Sequence, residues 1–579
     1  MNKLDTDNNE IKPQSVVRHS HVPRHSVKPV IYQMLPRLFA NMTENCVPDG
    51  DIRQNGCGKL DDITDTVLAE IRNLGVTHIW YTGVIEHAHA TDYSEYGIRP
   101  DNPYIVKGKA GSPYAIKDYY DIDPDIAVSV PDRMKEWEAL IARTHKAGMK
   151  VVMDFVPNHV ARSYSSDVAP KGVEDFGAQD DVTKFFSPSN DFYYIPRQLF
   201  QPQFPIGDYQ EFPAKASGND CFNAFPGRND WYETVKLNYG VDYGDGSRHF
   251  NPIPPVWFKM LRILRYWASK GVDAFRCDMV FMVPIEFWEW AIPMVRAHYP
   301  KIQFIAEIYD VNLYREFLYR GHFDYLYDKV NLYDSLRAVQ CYRHSAATLT
   351  DCWQRIDGIG DRMLNFLENH DEQRFASSEY AGDAAKVLPS LVVSSMISKA
   401  PFMIYAGQEL GEKGEDAEGF SGKDGRTTIF DYWSIPTVRR WLNGGKADGG
   451  RLSPVEKDLR AVYKRILTLL NSEKAISCGS FFDLMYVNFN NPDFSPHRHF
   501  AFLRHEGDTT LLIAVNFSDT PSTIKINVPQ LAFDMLGIKE GKRMAKELIS
   551  GRKMSKTFSS STPFATEIAP WGAVIWKMK

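Results

Sequence analysis

Three times in this chain a run of helical periodicity is stopped by a glycine and followed at once by a short apolar strand. Ile63, Val67, Leu68, Ile71 and Leu74 mark one helix face, and Gly75 ends that helix before Val76-Thr-His-Ile-Trp80. Helical spacing over 134–147 ends at Gly148 before Met149-Lys-Val-Val-Met-Asp154, and helical spacing over 258–270 ends at Gly271 before Val272-Asp-Ala-Phe275. Strands joined through a helix run parallel, so the repeat predicts a parallel sheet covered by helices. Val30-Ile-Tyr-Gln-Met-Leu-Pro-Arg-Leu-Phe39 adds a strand ahead of the repeats, and 302–307, 323–330, 362–367 and 401–406 add four after them. Eight parallel strands are the number that closes a (β/α)8, or TIM, barrel, and that is the expected fold.

One gap breaks the rhythm. Residues 160–250 are rich in Gly, Pro, Asn and aromatics in an order too irregular for a barrel unit, which predicts a domain inserted after strand three. From 472 onward the pattern changes to short runs such as Phe500-Ala-Phe-Leu-Arg504, Thr510-Leu-Leu-Ile-Ala-Val-Asn516 and Ala573-Val-Ile-Trp576. Turn residues separate them, as in an antiparallel β-sandwich. The expected organisation is a flexible tail over 1–26, a barrel over 27–159 and 251–471, the insert over 160–250, and a C-terminal β-sandwich over 472–579. The last barrel helix opens with the capping box Ser453-Pro-Val-Glu456, and Leu459, Val462, Ile466 and Leu469 read as its inward stripe.

Composition narrows the function classes. An apolar content of 44% and a charged content of 24% are those of a globular protein. The net charge of −6, with no long basic run, speaks against a nucleic-acid partner. The most apolar late run, 387–397, contains Pro389 and is too short to span a bilayer, so no membrane partner is expected. Seven cysteines, scattered and without CxxC spacing, fit a reducing compartment better than a disulfide framework. The first 26 residues hold His19, His21 and His25 but no apolar core of the kind export needs, so a cytoplasmic location is expected. Oligomeric state is left open.

Reactive groups of such a barrel gather at the C-terminal ends of its strands. Read there, the chain supplies Asp154 with Asn158 and His159, then Arg276 and Asp278, then Glu307, then Asn369-His370-Asp371. Ionisable groups beside a core are costly, and four such clusters on separate strands point to chemistry. Two carboxylates on neighbouring strands, with an arginine two residues from one of them, are what glycosidic-bond cleavage needs.

These segments resemble the α-amylase family, glycoside hydrolase family 13. Asp154-Phe-Val-Pro-Asn-His159, Gly271-Val-Asp-Ala-Phe-Arg-Cys-Asp278, Ile305-Ala-Glu307 and Phe366-Leu-Glu-Asn-His-Asp371 are similar to its four signatures, in order. The resemblance implies that the insert is the family's domain B and the C-terminal segment its sandwich. It implies Asp278 as nucleophile, Glu307 as general acid/base and Asp371 as a transition-state stabiliser. It further implies that Tyr114 stacks on sugar, that His159 and His370 bind the sugar at the cleavage point, and that Arg276 orients Asp278. The substrate implied is an α-glucan or oligosaccharide cleaved at α-1,4 bonds, with no cofactor required. A 4-α-glucanotransferase or maltosyltransferase of the same family is the alternative, and Phe287-Trp-Glu-Trp290 is similar to segments of such transferases.

The Tyr114 match is the weaker one, because Ser112-Pro113 stands where the family usually has His-Gly, and the chain departs from the family in two further places. Phe281 and Met282 stand where many members carry Lys-His toward the leaving-group sugars, so Trp231 and Tyr232 are expected to supply stacking platforms instead. In Thr234-Val-Lys-Leu-Asn-Tyr239, Lys236 occupies the position of an aspartate that ligates calcium in calcium-dependent members. No metal site is therefore assigned there. A structural calcium could be held by Asp49, Asp51, Asn55 and Asp61, whose oxygens are of the type calcium takes, although a solvated loop is the plainer expectation.

Overall fold

The computed structural model describes residues 27–579, and the expected tail over 1–26 lies outside the described residues. Eight strands form the barrel: β1 (Val30–Met34), β2 (His78–Tyr81), β3 (Lys150–Phe155), β4 (Ala274–Cys277), β5 (Gln303–Ala306), β6 (Tyr325–Tyr327), β7 (Met363–Phe366) and β8 (Phe402–Tyr405). They close in the order β1-β8-β7-β6-β5-β4-β3-β2, and every neighbouring pair is parallel. All eight expected strands are present. Each is buried on both faces apart from a first residue in β3 and β5, which is why they read as apolar runs rather than alternations.

The glycine stops are real. Gly75, Gly148 and Gly271 all adopt positive φ (105°, 77° and 98°). At Gly75 space matters as well, because a Cβ there would come within 3.0 Å of the Leu467 backbone on the last barrel helix. Upstream of that glycine, the helix Asp65–Asn73 is capped by Thr64 and buries Val67, Leu68 and Ile71 against the barrel.

Between β2 and β3 the chain makes an excursion that the sequence did not announce. Ile85–His87 pairs antiparallel with Ile116–Ile122. Every residue from Ile116 to Ile122 is buried, two aspartates and a lysine among them, so no polar–apolar alternation marks the strand. The insert after β3 holds two short antiparallel pairs, His159–Ala161 with Thr234–Lys236 and Tyr194–Ile195 with Ala214–Lys215. It has a small core of its own around Ile195, Phe200 and Ala214. Arg162 stands over the Phe200 ring at 3.8 Å and pairs with Glu211 at 2.7 Å, tying that core together.

The C-terminal part is a six-stranded antiparallel sheet with a second, two-stranded sheet, Ser522–Ile526 with Phe564–Ile568. Buried Arg504 donates to the carbonyls of Ala475, Ile476, Gly479 and Ile397, which fastens the sheet to the barrel. No helix among the described residues is long and apolar enough to cross a membrane. All seven cysteines are free thiols.

The last barrel helix, Pro454–Ser472, carries the full capping box: Glu456 N–H donates to Ser453 Oγ, and Ser453 N–H donates to the Glu456 carboxylate. Its stripe differs from expectation. Leu459, Tyr463, Ile466, Leu467 and Leu470 are buried, whereas Val462 and Leu469 are half-buried, because Tyr463 rather than Val462 continues the face one turn after Leu459. Leu467→Ala should accordingly cost about 2–5 kcal/mol in denaturant unfolding, Ser453→Ala about 1 kcal/mol, and Val462→Ala less than Leu467→Ala. Equal losses at 462 and 467 would contradict this packing.

Candidate active site

The register of β3, β4 and β5 puts the ionisable residues side by side. Arg276 on β4 lies opposite Asp154 on β3 and Ile305 on β5, while Asp278 and Glu307 are the first residues past β4 and β5. Main-chain bonds Asp278 N–H to Phe155 O (2.9 Å) and Glu307 N–H to Cys277 O (3.0 Å) carry the ladder one step beyond the strands. Both carboxyl groups are therefore held by sheet-like backbone rather than by free loops.

Arg276, 1% exposed, is the hub. Its Nη1 donates to Asp278 Oδ1 at 2.8 Å and reaches Asp154 Oδ1 at 3.4 Å. Its Nη2 lies 2.7 Å from Glu307 Oε1, an ion-pair contact without hydrogen-bond alignment. Its Nε donates to Tyr327 Oη at 3.2 Å. The guanidinium also stands within 5.5 Å of the Trp80, Tyr114 and Tyr327 ring centres, which shield it from water. One cation cannot balance three buried carboxylates, so the cluster keeps a proton near neutral pH. Burial, with the Glu307 charge adding and Arg276 opposing, raises Asp278 well above the usual carboxylate range. Burial likewise pushes Asp154 up to about 7, against Arg276 and a hydrogen bond from Trp80.

Glu307 has two further anchors: the Met279 N–H donates to Oε2 at 2.9 Å and the Tyr309 hydroxyl to Oε1 at 2.5 Å. Met279 is left-handed (φ 43°), a conformation that a non-glycine residue rarely takes and that accompanies the turn of its N–H toward Glu307. Asp371 is pushed up to about 7 by desolvation and the Glu307 charge, with Arg276 opposing. Its side chain is 40% exposed, so solvent screens it more than it does the buried pair.

Two neutral histidines complete the rim. Burial holds His370 well below its ordinary value, and burial with the Lys236 charge takes His159 down to about 3. Gln33 donates to His370 Nδ1 at 2.7 Å, so the ring proton sits on Nε2, which faces Tyr114 Oη (2.6 Å) and Asp371 Oδ2 (3.2 Å). Tyr114 lies stacked beside His370 with ring centres 5.2 Å apart. Tyr114, His159, Asp278, Glu307, His370 and Asp371 all line one cleft of about 550 Å³, a volume that suits a short oligomeric ligand.

The structure thus brings together all seven residues proposed for catalysis and substrate binding, with Arg276 beneath the cleft floor. It adds Tyr309 and Tyr327, which the sequence reading passed over. Tyr309 was findable, since it follows Glu307 by two and residues two apart in extended chain share a side. Trp231 lines the cleft, its ring 5.1 Å from His159. Tyr232 does not: it is buried, edge-on to Phe204 at 4.5 Å, and so cannot be the stacking platform expected of it. Neither Phe281 nor Met282 lines the cleft, and Phe281 leans instead toward Tyr309 with ring centres 6.3 Å apart.

Lys236 fills a structural position. Its buried ammonium donates to Asn158 Oδ1 and to Met282 O (3.1 Å) and pairs with Asp220 Oδ1 (2.7 Å). It therefore joins the insert to the loops after β3 and β4, which is the work a bound cation would do there. The Asp49–Asp61 loop is not gathered around one point. Asp51 caps the short helix Ile52–Asn55, Asn55 Oδ1 accepts from Val47 N–H, and Asp61 pairs with Arg143. These oxygens have separate partners, and among the described residues Asp49, Asp51 and Asp61 do not form a cluster able to share an ion.

Residues 33–435 match the family profile described as "Alpha amylase, catalytic domain". The chain belongs to the α-amylase family, glycoside hydrolase family 13, and is a glycosidase of the α-amylase type. It is 22% identical over 539 residues to Alpha-amylase 3 of Dictyoglomus thermophilum, spanning 90% of this chain and 91% of that one. It is also 22% identical over 532 residues to a cyclomaltodextrinase of Thermoanaerobacter pseudethanolicus, spanning 89% and 74%. Among solved structures, an α-amylase from Geobacillus thermoleovorans complexed with acarbose superposes with a TM-score of 0.62 at 18% identity, covering 96% of this chain and 99% of that one. The last likeness bears on the fold alone.

The Lys236 contacts predict that chelator treatment leaves substantial activity at moderate temperature. Lys236→Met, which strands the Asn158 and Met282 oxygens, should lower unfolding stability by about 1–3 kcal/mol. Complete, calcium-reversible loss of activity in the unaltered protein would contradict this account.

Proposed function

We infer that the protein cleaves α-1,4-glucosidic bonds in starch-type α-glucans or maltooligosaccharides with retention, by double displacement. The observation that carries this reading is the shared Arg276 guanidinium, which holds Asp278 and Glu307 together at the floor of the cleft. Asp278 attacks the anomeric carbon while Glu307 gives its proton to the departing glycosidic oxygen. In the second half, Glu307 takes a proton from water as that water attacks the same carbon, and the bond to Asp278 breaks. Arg276 opposes the burial that would keep Asp278 protonated, and so favours the anion needed for attack.

Asp371, at the cleft edge, accepts hydrogen bonds from sugar hydroxyls that strengthen as positive charge builds on the ring. His370 and His159, both neutral, bind the same sugar without adding a cation beside an oxocarbenium-like centre. Tyr114 and Trp231 offer ring faces to the sugar. Relatives whose names are α-amylase, cyclomaltodextrinase and maltase support an α-glucan substrate and water as the acceptor. A 4-α-glucanotransferase would instead build longer products when glucose is added.

Asp278→Asn should lower kcat by about 10^4-fold or more. Glu307→Gln should spare the first step with an α-glucosyl fluoride, and azide should then yield the α-glycosyl azide. Trp231→Ala should raise KM about tenfold, a loss of about 1.4 kcal/mol of binding, with a smaller effect on kcat. The first-formed product of an α-glucan, followed by NMR before mutarotation, should be the α-anomer; a β-anomer would overturn the mechanism.

A further inference from the structure

A second group of donors lies away from the catalytic cluster, where the β2 excursion meets the loops after β1 and β8. His89 follows the strand Ile85–His87, while Asp123 and Asp125 follow the strand Ile116–Ile122. All three are buried. One donor atom from each lies within 4.8 Å of the other two, a separation that a single cation can bridge. Neither ring nitrogen of His89 has a hydrogen-bond partner among the described residues, although the residue is 1% exposed. A buried imidazole with both nitrogens unsatisfied is expensive, and here it stands beside two carboxylates.

The surroundings orient these donors without occupying the histidine. Asp125 accepts from the Tyr93 hydroxyl (2.9 Å) on one oxygen and from the Tyr432 hydroxyl (2.7 Å) on the other. Asp123 accepts from the Asp125 N–H at 2.8 Å, and its second oxygen lies 2.8 Å from His87 Nδ1. Arg37 Nη1 donates to His87 Nε2 at 3.0 Å, which leaves the His87 proton on Nδ1, where it is shared between Ile85 O at 3.1 Å and the nearby Asp123 carboxylate. Carboxylates fixed by a histidine and by tyrosine hydroxyls are the outer support that metal ligands ordinarily have.

We propose that His89, Asp123 and Asp125 form a structural site for a divalent transition cation, zinc by its donor set. Imidazole with carboxylates suits zinc, whereas calcium and magnesium favour oxygen donors alone. The bound ion would brace the wall of the cleft from behind, since Arg37 also donates to Ala110 O and Ile429 O, and Ile429 lines the cleft. The site does not depend on the mechanism proposed above. Nor does it overlap the Lys236 position, whose ammonium has its own oxygen partners.

The test uses the full chain with His19, His21 and His25 changed to alanine, so that these three histidines cannot bind metal. After chelator treatment, titration with zinc chloride in a calorimeter should show one ion per chain and a higher melting temperature. His89→Gln and Asp125→Asn should each weaken binding at least about tenfold. No zinc bound, or unchanged affinity in the His89→Gln protein, overturns the proposal. Should the variants fail to fold, zinc-edge X-ray absorption of the otherwise intact protein decides. One imidazole with oxygen donors supports the site, and two or more imidazoles, a sulfur ligand or no retained zinc overturns it.

Discussion

Burying one arginine beneath three carboxylates is the constraint on which the rest of the site depends. Arg276 alone would be costly to desolvate, and so would Asp154, Asp278 and Glu307; together they are tolerable only in the geometry that the strands impose. The register of three parallel strands sets Arg276 beside Asp154 and carries Asp278 and Glu307 two residues further along, so that all four side chains meet at the rim. The aromatic rings of Trp80, Tyr114 and Tyr327 then keep water from the guanidinium. Low dielectric strengthens every interaction in the cluster, and with it the competition for the available proton.

That competition is what the proposed chemistry uses. An acid and a nucleophile that are both carboxyl groups differ in role through their surroundings. Asp278 receives an aligned hydrogen bond from Arg276, whereas Glu307 is positioned by the Met279 N–H and the Tyr309 hydroxyl. The histidines around them are kept neutral by burial, so Arg276 remains the dominant positive charge next to the reacting carboxylates. Lys236, farther out, fixes the insert against the strand-end loops. Lys236 thereby joins three separate stretches of chain beside the cleft.

Much of this was legible in the amino-acid order. The barrel strands were readable because both their faces are buried and because a glycine stops the helix ahead of three of them, at Gly75, Gly148 and Gly271. The site residues were readable because ionisable groups recur just where those apolar runs end. What escaped notice had lost its pattern through burial. The strand Ile116–Ile122 hides two aspartates and a lysine inside, so it resembles neither an apolar run nor an alternation. Tyr232 looked like a binding aromatic next to Trp231, but the two open a turn closed by Thr234 N–H to Trp231 O, and of the two only Trp231 reaches the cleft while Tyr232 is buried. The Asp49–Asp61 loop had the composition of a cation site, yet its oxygens are spent on a helix cap, a turn and an ion pair. Composition could not reveal where those oxygens point.

In the proposed mechanism the Arg276-bound carboxylate of Asp278 is the group that bonds to the sugar. Incubation with a slow-turnover fluorinated α-glucosyl fluoride, followed by proteolysis and mass spectrometry, tests it most directly. The sugar should be found on the peptide carrying Asp278 and be released when an acceptor is added. A label on Glu307 or Asp371, or steady turnover of that reagent with no labelled peptide at any time, would contradict it.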